Sequence, residues 1–178
     1  MRKLKNSELN RLSVEEFKEV QKLPIIVVLD NIRSLNNIGS VFRTSDAFLL
    51  EKIYLCGVTA QPPHRYIHKT ALCASESVEW EYIEDTIECV EKLQKEGYHC
   101  LAIEQAENSL MLNQFDSSKH EKIAVIFGNE VKGVQQEVID KSDNCIEIPQ
   151  LGTKHSLNIS VSAGVVLWEL FRATSRSR

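Results

Sequence analysis

The sequence lacks the patterns that mark several large classes of protein. Its 178 residues include five cysteines but no C-x-x-C pair, which disfavours a structural zinc site or a thioredoxin-like redox centre. No apolar run approaches the roughly 18 residues that a membrane span needs, and the N-terminal MRKLKNSELN has no apolar signal-peptide core. We therefore expect a cytoplasmic protein with reduced, mostly buried thiols, no bound metal and no membrane contact.

The phosphate-binding patterns of nucleotide enzymes are also missing. Gly128 and Gly133 stand in the segment VIFGNEVKGV with the wrong spacing for a P-loop, and no Lys-Ser or Lys-Thr pair follows the second glycine. The chain contains no G-x-G-x-x-G pattern either. A nucleoside triphosphate site is therefore disfavoured, and a Rossmann-type oxidoreductase is the weakest functional hypothesis.

An overall excess of positive charge, the usual signature of a nucleic-acid-binding protein, is missing too. The formal net charge is −4. Residues 1–11 nevertheless carry a local charge of +3, and residues 172–178 carry another +3, so the body between them is acidic. The length fits one compact domain, and 43% hydrophobic with 26% charged residues is ordinary for a soluble globular protein.

Apolar, β-branched runs recur along the chain and are separated by segments with helical periodicity. The runs span residues 24–30, 52–58, 78–83, 98–104, 122–128 and 144–149. Several are continuous rather than alternating, which is typical of strands covered on both faces. The succession of strands and helices predicts an α/β fold with a mainly parallel sheet and helices on both faces.

Helical periodicity predicts four helices. The first carries an apolar stripe of Ile38, Val41, Phe42, Phe48 and Leu49. The second spans residues 85–96 and ends at Gly97, and the third spans residues 131–141. The last, from 157 to 171, is apolar almost all round, which predicts a buried helix.

The chain is expected to have one main domain with short flanking segments. Residues 1–23 should form a charged N-terminal helical segment, residues 24–172 the main domain, and residues 173–178 a basic C-terminal tail. The stretch 59–76 carries two prolines and two histidines, and its structure is left unassigned.

Ligands of open α/β sheets bind at the carboxyl ends of the strands, so the segment after the run 24–30 is a candidate site. Either Asn36 or Asn37 is expected to cap the helix that follows. Asn36, Gly39 and Arg43 share a helix face opposite the apolar stripe. This face is either a cap, a packing glycine and a solvated arginine, or a surface that binds an anion.

Polar side chains also follow the runs 122–128 and 144–149. Glu130 is expected at the N-terminus of the helix over 131–141, where the helix dipole favours a carboxylate. Ser156 is expected to cap the last helix. Asn158 would then be a buried amide that needs a partner in Ser156, the loop backbone or a ligand. His155 fits a loop or phosphate contact better than catalysis.

The three segments together resemble the three motifs of the SpoU (TrmH-like) branch of the SPOUT RNA methyltransferases. The first motif, N-x-G-S-x-x-R-T, runs from Asn37 to Thr44, and the second, F-G-N-E-x-x-G, runs from Phe127 to Gly133. The third, I-P-x-x-G-x-x-x-S-L-N-x-S-V-S-A-G, runs from 148 to 164. Each motif is weak alone, but all three in this order are specific, and the match covers about residues 24–171.

The resemblance implies an S-adenosylmethionine-dependent methyltransferase that modifies a ribose 2′-hydroxyl of RNA. It also implies a SPOUT fold with a C-terminal trefoil knot, and a homodimer whose cofactor pocket lies near the dimer interface. By motif position Gly128, Ile148 and Leu157 would line the pocket for S-adenosylmethionine, whereas Glu104 is proposed from its strand-end position only. This chemistry needs no metal.

Arg43 is the arginine that such families need for catalysis. Four further residues would hold this arginine and the ribose: Asn37, Glu130, Ser156 and Asn158. A guanidinium with a pKa above about 12 is a poor general base. Either an unusual environment deprotonates Arg43, or Arg43 orients the RNA phosphate and the hydroxyl while a phosphate oxygen or water takes the proton. We favour the second option.

A non-catalytic RNA-binding or assembly protein that keeps the fold is the main alternative, and the intact motif residues speak against it. Transfer RNA and ribosomal RNA are both candidate targets, with a slight preference for transfer RNA. Specific RNA contact needs local positive surface rather than a positive total. The candidates for that surface are Arg2, Lys3, Lys5, Arg11, Arg33, Arg43, Lys154, His155, Arg172, Arg176 and Arg178.

Overall fold

A seven-stranded parallel sheet forms the centre of the computed structural model, which describes residues 1–176 apart from the side chains of residues 6 and 174–176. The strands are β1 (Leu23–Asp30), β2 (Leu50–Cys56), β3 (Glu79–Ile83), β4 (His99–Ile103), β5 (Leu110–Met111), β6 (Ile123–Phe127) and β7 (Asn144–Glu147). Their order is β3-β2-β1-β6-β4-β7-β5, and all neighbouring strands are parallel. The predicted α/β class is confirmed.

Six of the strands coincide with the predicted runs to within two residues at each end. β5 has no counterpart in the prediction, because two residues are too few to leave a hydrophobic pattern. It pairs with Ile146 and Glu147 at the edge of the sheet. The trefoil knot stays a prediction of the resemblance.

Side chains of the central strand point alternately into two hydrophobic cores. In β1, Val27 and Leu29 belong to the larger core, whereas Ile26 and Val28 belong to a smaller core on the opposite face. All four side chains are almost completely buried. A strand covered on both faces needs an apolar side chain at every position, which explains why the run is continuous.

Helices cover both faces of the sheet, as predicted. They are α1 (Val14–Glu19), α2 (Leu35–Ala47), α3 (Arg65–Ala71), α4 (Ala74–Ser77), α5 (Thr86–Lys95), α6 (Gln136–Lys141) and α7 (Ile159–Arg176). The larger core takes apolar side chains from α1 to α4 and α7, and the smaller core takes them from α5 and α6. Gly97 follows α5 with φ +87°, the left-handed conformation that commonly ends a helix.

The predicted helix over 131–141 is wrong in its first half, because residues 129–135 form a tight turn. The Asn129 side-chain oxygen accepts hydrogen bonds from the N–H groups of Val131 and Lys132. Gly133 then turns the chain back with φ +70°, and its N–H donates to the Asn129 carbonyl. A side chain that captures backbone donors in this way competes with helix formation.

The N-terminal segment is helical over only part of residues 1–23. A single 3-10 turn spans Asn6–Glu8, and Asn10 has a positive φ of 45° that interrupts regular structure. α1 begins after Ser13, which forms a capping box with Glu16. Phe17 is 4% exposed and anchors this short helix in the larger core.

The caps of α2 and α7 differ from those predicted. Ser34, rather than Asn36 or Asn37, caps α2, and its hydroxyl accepts the N–H of Asn37. Asn158, rather than Ser156, precedes α7, and its side-chain oxygen accepts the N–H of Ser160. Asn158 is exposed, so the expectation of a buried amide inside the last helix is wrong.

α7 is not the fully buried helix that the sequence predicts. Its inner face, which includes Val166 and Leu170, is buried, but Val161, Val165 and Trp168 are about half exposed on the outer face. The helix continues to 176, so residues 173–176 of the predicted tail are helical, and residues 177–178 lie outside the described residues. Within residues 1–176, no helix has both the length and the apolar character needed to cross a membrane.

Gly39 allows α3 to pack closely on α2. A Cβ atom on Gly39 would lie 2.1 Å from Thr70 Oγ1 and 2.4 Å from the carbonyl oxygen of Ile67. The second neighbour is backbone and cannot rotate away. Of the two interpretations of this helix face, the structure supports a packing glycine, whose backbone is covered by α3 rather than open to a ligand.

We expect Gly39→Ala to lower the free energy of unfolding by about 1–3 kcal/mol, because α3 must move away from α2. This is the net change: the cost of the displaced packing is larger than the gain of about 1 kcal/mol that alanine brings to a helix. Urea unfolding followed by circular dichroism measures it. Gly152→Ala is the control, since a Cβ there meets no atom within 4 Å. Equal midpoints for the two variants would contradict the close contact.

Candidate active site

A cleft of about 910 Å³ opens at the carboxyl ends of the central strands. Its walls come from the segments that follow β4, β6 and β7 and from the residues that lead into α7. Sites for small molecules and cofactors have volumes of about 300–1,000 Å³, so the cleft is large enough for one. Its position follows the rule for open parallel sheets.

The residues predicted to bind a cofactor all line this cleft: Glu104, Gly128, Ile148 and Leu157. Ser156 and Asn158 line it as well. Ile148 and Leu157 supply apolar wall, and Glu104 supplies hydrogen-bond acceptors. The loop before α7 is held across the cleft by Gln105, whose side-chain amide donates to the carbonyl oxygen of His155 at 2.8 Å.

Glu104 also fixes the turn that follows β6. Its Oε1 accepts the N–H of Gln105 at 2.8 Å, and its Oε2 accepts the N–H of Val134 at 3.0 Å. Gly133 makes this approach possible, because a Cβ there would lie 2.1 Å from Glu104 Oε2. Each carboxylate oxygen has two lone pairs, so a donor on a ligand can still bind.

Glu130 joins the turn after β6 to the start of α2. Its Oε2 accepts the N–H of Arg33 at 3.0 Å. Its Oε1 accepts the N–H of Ser34 and the side-chain amide of Asn37, both at 3.0 Å. We predicted that the Glu130 carboxylate lies at the N-terminus of the helix over 131–141. It does lie at a helix N-terminus, but the helix is α2 and not α6.

The environment of Glu130 favours the charged carboxylate. Burial raises the pKa of Glu130, but hydrogen bonds from the backbone and from Asn37 outweigh it, so the pKa lies below its ordinary value. A carboxyl group with a lowered pKa in the folded state stabilises the fold above its unfolded pKa. That contribution is lost as the pH falls through the folded pKa.

Asn37 connects the first motif to the other two. Its side-chain nitrogen donates to Glu130, and its side-chain oxygen accepts the amide of Asn158 at 3.3 Å. Asn37 is 8% exposed, so both ends of its amide are satisfied in a nearly buried position. Glu130, Asn37 and Asn158 therefore form one hydrogen-bonded chain across three segments that are far apart in sequence.

Arg43 lies on α2 six residues after Asn37, and its side chain is exposed. Among the described residues, it makes no hydrogen bond and no ion pair, and it does not line the cleft. Its positive charge is therefore free for a ligand that approaches α2 from solvent. Ser156 likewise forms no side-chain hydrogen bond within the described part of the chain.

Asp30 is not among the predicted residues, but it supports the site from outside the cleft. It ends β1, is fully buried, and its Oδ1 accepts from Thr86 Oγ1 at 2.7 Å and from the side-chain amides of Asn31 and Gln135 at 2.9 Å. Oδ2 accepts the N–H of Gln135 at 3.2 Å. Asp30 thus holds the far end of the turn that carries Glu130. The signal was an acid that ends an otherwise apolar run.

Comparison with known sequences agrees with the geometry. A model of the SpoU rRNA Methylase family matches residues 24–168. The tRNA (guanosine(18)-2′-O)-methyltransferase of Aquifex aeolicus is 30% identical over 162 residues, which cover 89% of this chain and 74% of the relative. The enzyme of that name from Thermus thermophilus is 30% identical over 93% of this chain and 84% of its own.

Other relatives are longer than this chain. A Staphylococcus saprophyticus protein, whose name places it in the TrmH family of tRNA/rRNA methyltransferases, is 28% identical, and the chain spans 63% of its length. Among solved structures, the A. aeolicus TrmH/SpoU tRNA modifying enzyme has a TM-score of 0.82 at 23% identity, covering 92% of this chain and 82% of its own. An AdoMet-bound rRNA methyltransferase from Sinorhizobium meliloti has a TM-score of 0.79 at 24% identity over 88% of this chain and 59% of its own. These structures share the fold.

We expect Glu130→Gln to lower the free energy of unfolding by about 1 kcal/mol at pH 7, since the hydrogen bonds to a partly exposed charge become hydrogen bonds to a neutral amide. The difference from the wild type should shrink as the pH falls below about 4.3, the ordinary pKa of glutamate, because Glu130 itself becomes neutral. Urea unfolding at a series of pH values measures both effects.

Glu121→Gln is the matched control, because Glu121 is an exposed carboxylate before β6, outside any helix, that makes no hydrogen bond to the described residues. Its stability should follow the wild type at every pH. A Glu130→Gln difference that stays constant through the acidic range would show that the carboxylate charge does not matter.

Proposed function

The chain belongs to the SpoU rRNA methylase family, and from this we propose that it transfers a methyl group from S-adenosylmethionine to a ribose 2′-hydroxyl of RNA in the cytoplasm. The observation that carries the proposal is the hydrogen-bonded chain of Glu130, Asn37 and Asn158. It joins all three motifs, and an unpaired arginine, Arg43, lies on the same helix as Asn37. The names of the A. aeolicus and T. thermophilus relatives support this activity.

The residues of the cleft fit S-adenosylmethionine by their chemistry. Ile148 and Leu157 offer apolar wall for a flat adenine ring. Glu104 offers acceptors for ribose hydroxyls or an ammonium group. Gly128 lines the cleft at the end of β6, and a Cβ there would lie 2.1 Å from the Val134 nitrogen, so the glycine lets the turn after β6 pack against the strand end. When bound, S-adenosylmethionine supplies a methyl group on a sulfonium that is already a good leaving group.

Arg43 would bind and orient the RNA. Its guanidinium offers five donors to a phosphate, and holding the phosphate places the neighbouring 2′-hydroxyl at the mouth of the cleft. Since a guanidinium is a poor base, the hydroxyl proton passes to a phosphate oxygen or to water. The hydrogen bonds among Asn37, Glu130 and Asn158 hold the start of α2 beside the residues that line the cleft. The free hydroxyl of Ser156 would contact the ribose.

We favour transfer RNA over ribosomal RNA as the substrate, on the names of the two relatives that are 30% identical. Arg33, Arg43 and Lys154 are exposed and offer positive charge within an acidic body, and the exposed His155 lines the cleft. At the N-terminus, Lys3, Lys5 and Arg11 are exposed, whereas Arg2 is paired with Glu8 at 2.7 Å. Arg172 pairs with Glu169, whereas the Arg176 side chain and Arg178 lie outside the described residues.

We also propose a homodimer built on the exposed face of α7. Val161, Val165 and Trp168 follow the i, i+4, i+7 spacing of one helix face, and they line an apolar groove of about 550 Å³. An exposed apolar patch of this kind is typical of a protein contact. Ile148 lines both this groove and the cleft, so a second copy seated here would close one side of the cofactor site.

We expect Arg43→Ala to slow methyl transfer to unmodified transfer RNA by at least about 100-fold, because the phosphate and the hydroxyl are no longer positioned. Labelled methyl transfer measures the rate, and calorimetry should show unchanged affinity for S-adenosylmethionine. Arg65→Ala, which removes an exposed arginine on α3, is the control and should keep the wild-type rate.

Wild-type transfer by Arg43→Ala would contradict the assigned role. A wild-type protein that gives no heat with S-adenosylmethionine would instead favour the alternative of a non-catalytic RNA-binding protein with this fold. The two results are independent, because one concerns the arginine and the other concerns the cleft.

We expect Val165→Asp to convert the dimer to a monomer, because a charge on the α7 face must be buried against the second copy. Sedimentation equilibrium measures the mass. Val58→Asp is the matched control, since Val58 is 69% exposed in a loop away from α7, and this variant should stay dimeric. A Val165→Asp protein with the mass of a dimer would place the interface elsewhere.

A further inference from the structure

Three potential metal ligands converge at the junction of α3 and α4, outside the cleft. His68 lies in the last turn of α3, Cys73 directly precedes α4, and Glu76 lies within α4. His68 Nε2 is 3.7 Å from Cys73 Sγ and 3.8 Å from a Glu76 carboxylate oxygen. One ligand atom from each of the three lies within 4.8 Å of the others.

These separations are close to those of a tetrahedral zinc site. Zn²⁺ bonds of about 2.3 Å to sulfur and about 2.0–2.1 Å to nitrogen or oxygen place a thiolate about 3.6 Å from an imidazole nitrogen, and that nitrogen about 3.4 Å from a carboxylate oxygen. The two observed distances from His68 Nε2 are longer than these by about 0.1 and 0.4 Å, and the thiol and the carboxylate oxygen lie within 4.8 Å of each other. Side-chain rotation would bring the three ligand atoms to bonding positions. A thiolate and a carboxylate with a neutral imidazole would also balance the ion's two positive charges.

The backbone that places the Cys73 thiol beside His68 has an unfavourable conformation. Leu72 and Cys73 are consecutive residues with positive φ, 49° and 70°. This left-handed conformation suits glycine and is unfavourable for side chains with a Cβ. A glycine would therefore make the α3–α4 turn more easily than Cys73 does, and the cysteine adds an exposed thiol that faces His68.

The α3–α4 unit is attached to both ends of α2, the helix that carries Asn37 and Arg43. Thr70 Oγ1 donates to the Asn36 carbonyl oxygen at 3.2 Å near the start of α2, and the Ser77 hydroxyl donates to the Asp46 carboxylate near its end. An ion held between α3 and α4 would fix the spacing of these two attachments.

We propose that His68 Nε2, Cys73 Sγ and the Glu76 carboxylate form a binding site for a divalent transition metal of the Zn²⁺ type, with a fourth position open to water. The site is separate from the proposed methyl transfer, in which it supplies no reacting group. The side chains of His68 and Glu76 are both 60% exposed, so the ion exchanges with solvent, and it acts by stiffening the α3–α4 junction.

Co²⁺ added to the purified full chain is the direct probe, because a thiolate bound to Co²⁺ gives a charge-transfer absorption band. We expect this band to saturate at one ion per chain. Cys73→Gly should abolish it while keeping the fold, since glycine suits the left-handed position. His68→Ala and Glu76→Gln should each weaken Co²⁺ binding by at least about tenfold, which is the scale on which a disturbed ligand set loses affinity.

Glu79→Gln is the matched control, because Glu79 is a 72% exposed carboxylate three residues after Glu76 and outside the cluster. It should bind Co²⁺ like the wild type. In thermal unfolding, Zn²⁺ should raise the Tm of the wild type and leave the Tm of Cys73→Gly unchanged. The absence of a cobalt–thiolate band from the folded wild type, or an equally strong band in His68→Ala and Glu76→Gln, would overturn the proposal.

Discussion

The Glu130 carboxylate is the interaction on which the site depends. It accepts two backbone N–H groups just before α2 and the amide of Asn37 within it. α2 follows β1 and Glu130 follows β6, two strands that are adjacent in the sheet although about 100 residues separate these segments in sequence. A single charged side chain therefore ties the start of α2 to the turn after β6. Asp30 supports the turn that carries Glu130, since it accepts hydrogen bonds from Gln135 at the other end of that turn.

The all-parallel sheet explains why these groups meet. Parallel strands bring all their carboxyl ends to one edge, so the segments after β1, β4, β6 and β7 converge although they are far apart in the chain. Backbone N–H groups at that edge have no further strand to pair with. They donate hydrogen bonds to three carboxylates instead, those of Asp30, Glu104 and Glu130. The same carboxylates thus complete the fold and shape the site.

The sequence allowed the six longer strands and the fold class to be predicted, because each depends on local apolar pattern. For the cleft, Gly128, Ile148 and Leu157 were expected from the motif resemblance, and Glu104 was expected from its position after a strand. The sequence did not allow the caps or the turn over 129–135 to be predicted. Ser34, Asn129 and Asn158 all have short polar side chains that bind backbone N–H groups nearby, and several residues in each segment could have done so. The outward face of α7 was missed for another reason, since an apolar helix face against a second protein has the same composition as one against a core.

The arrangement of charge around α2 has a direct consequence for binding. Glu130 and Arg43 carry opposite charges, and an ion pair between them would cancel the positive charge on which the proposed RNA contact depends. The Glu130 carboxylate instead accepts hydrogen bonds from two backbone N–H groups and from the amide of Asn37. Arg43 is left unpaired among the described residues, on an exposed face of an otherwise acidic body. Under the proposed function, this free guanidinium attracts a phosphate locally, which would give the protein an anion site without a strongly basic surface.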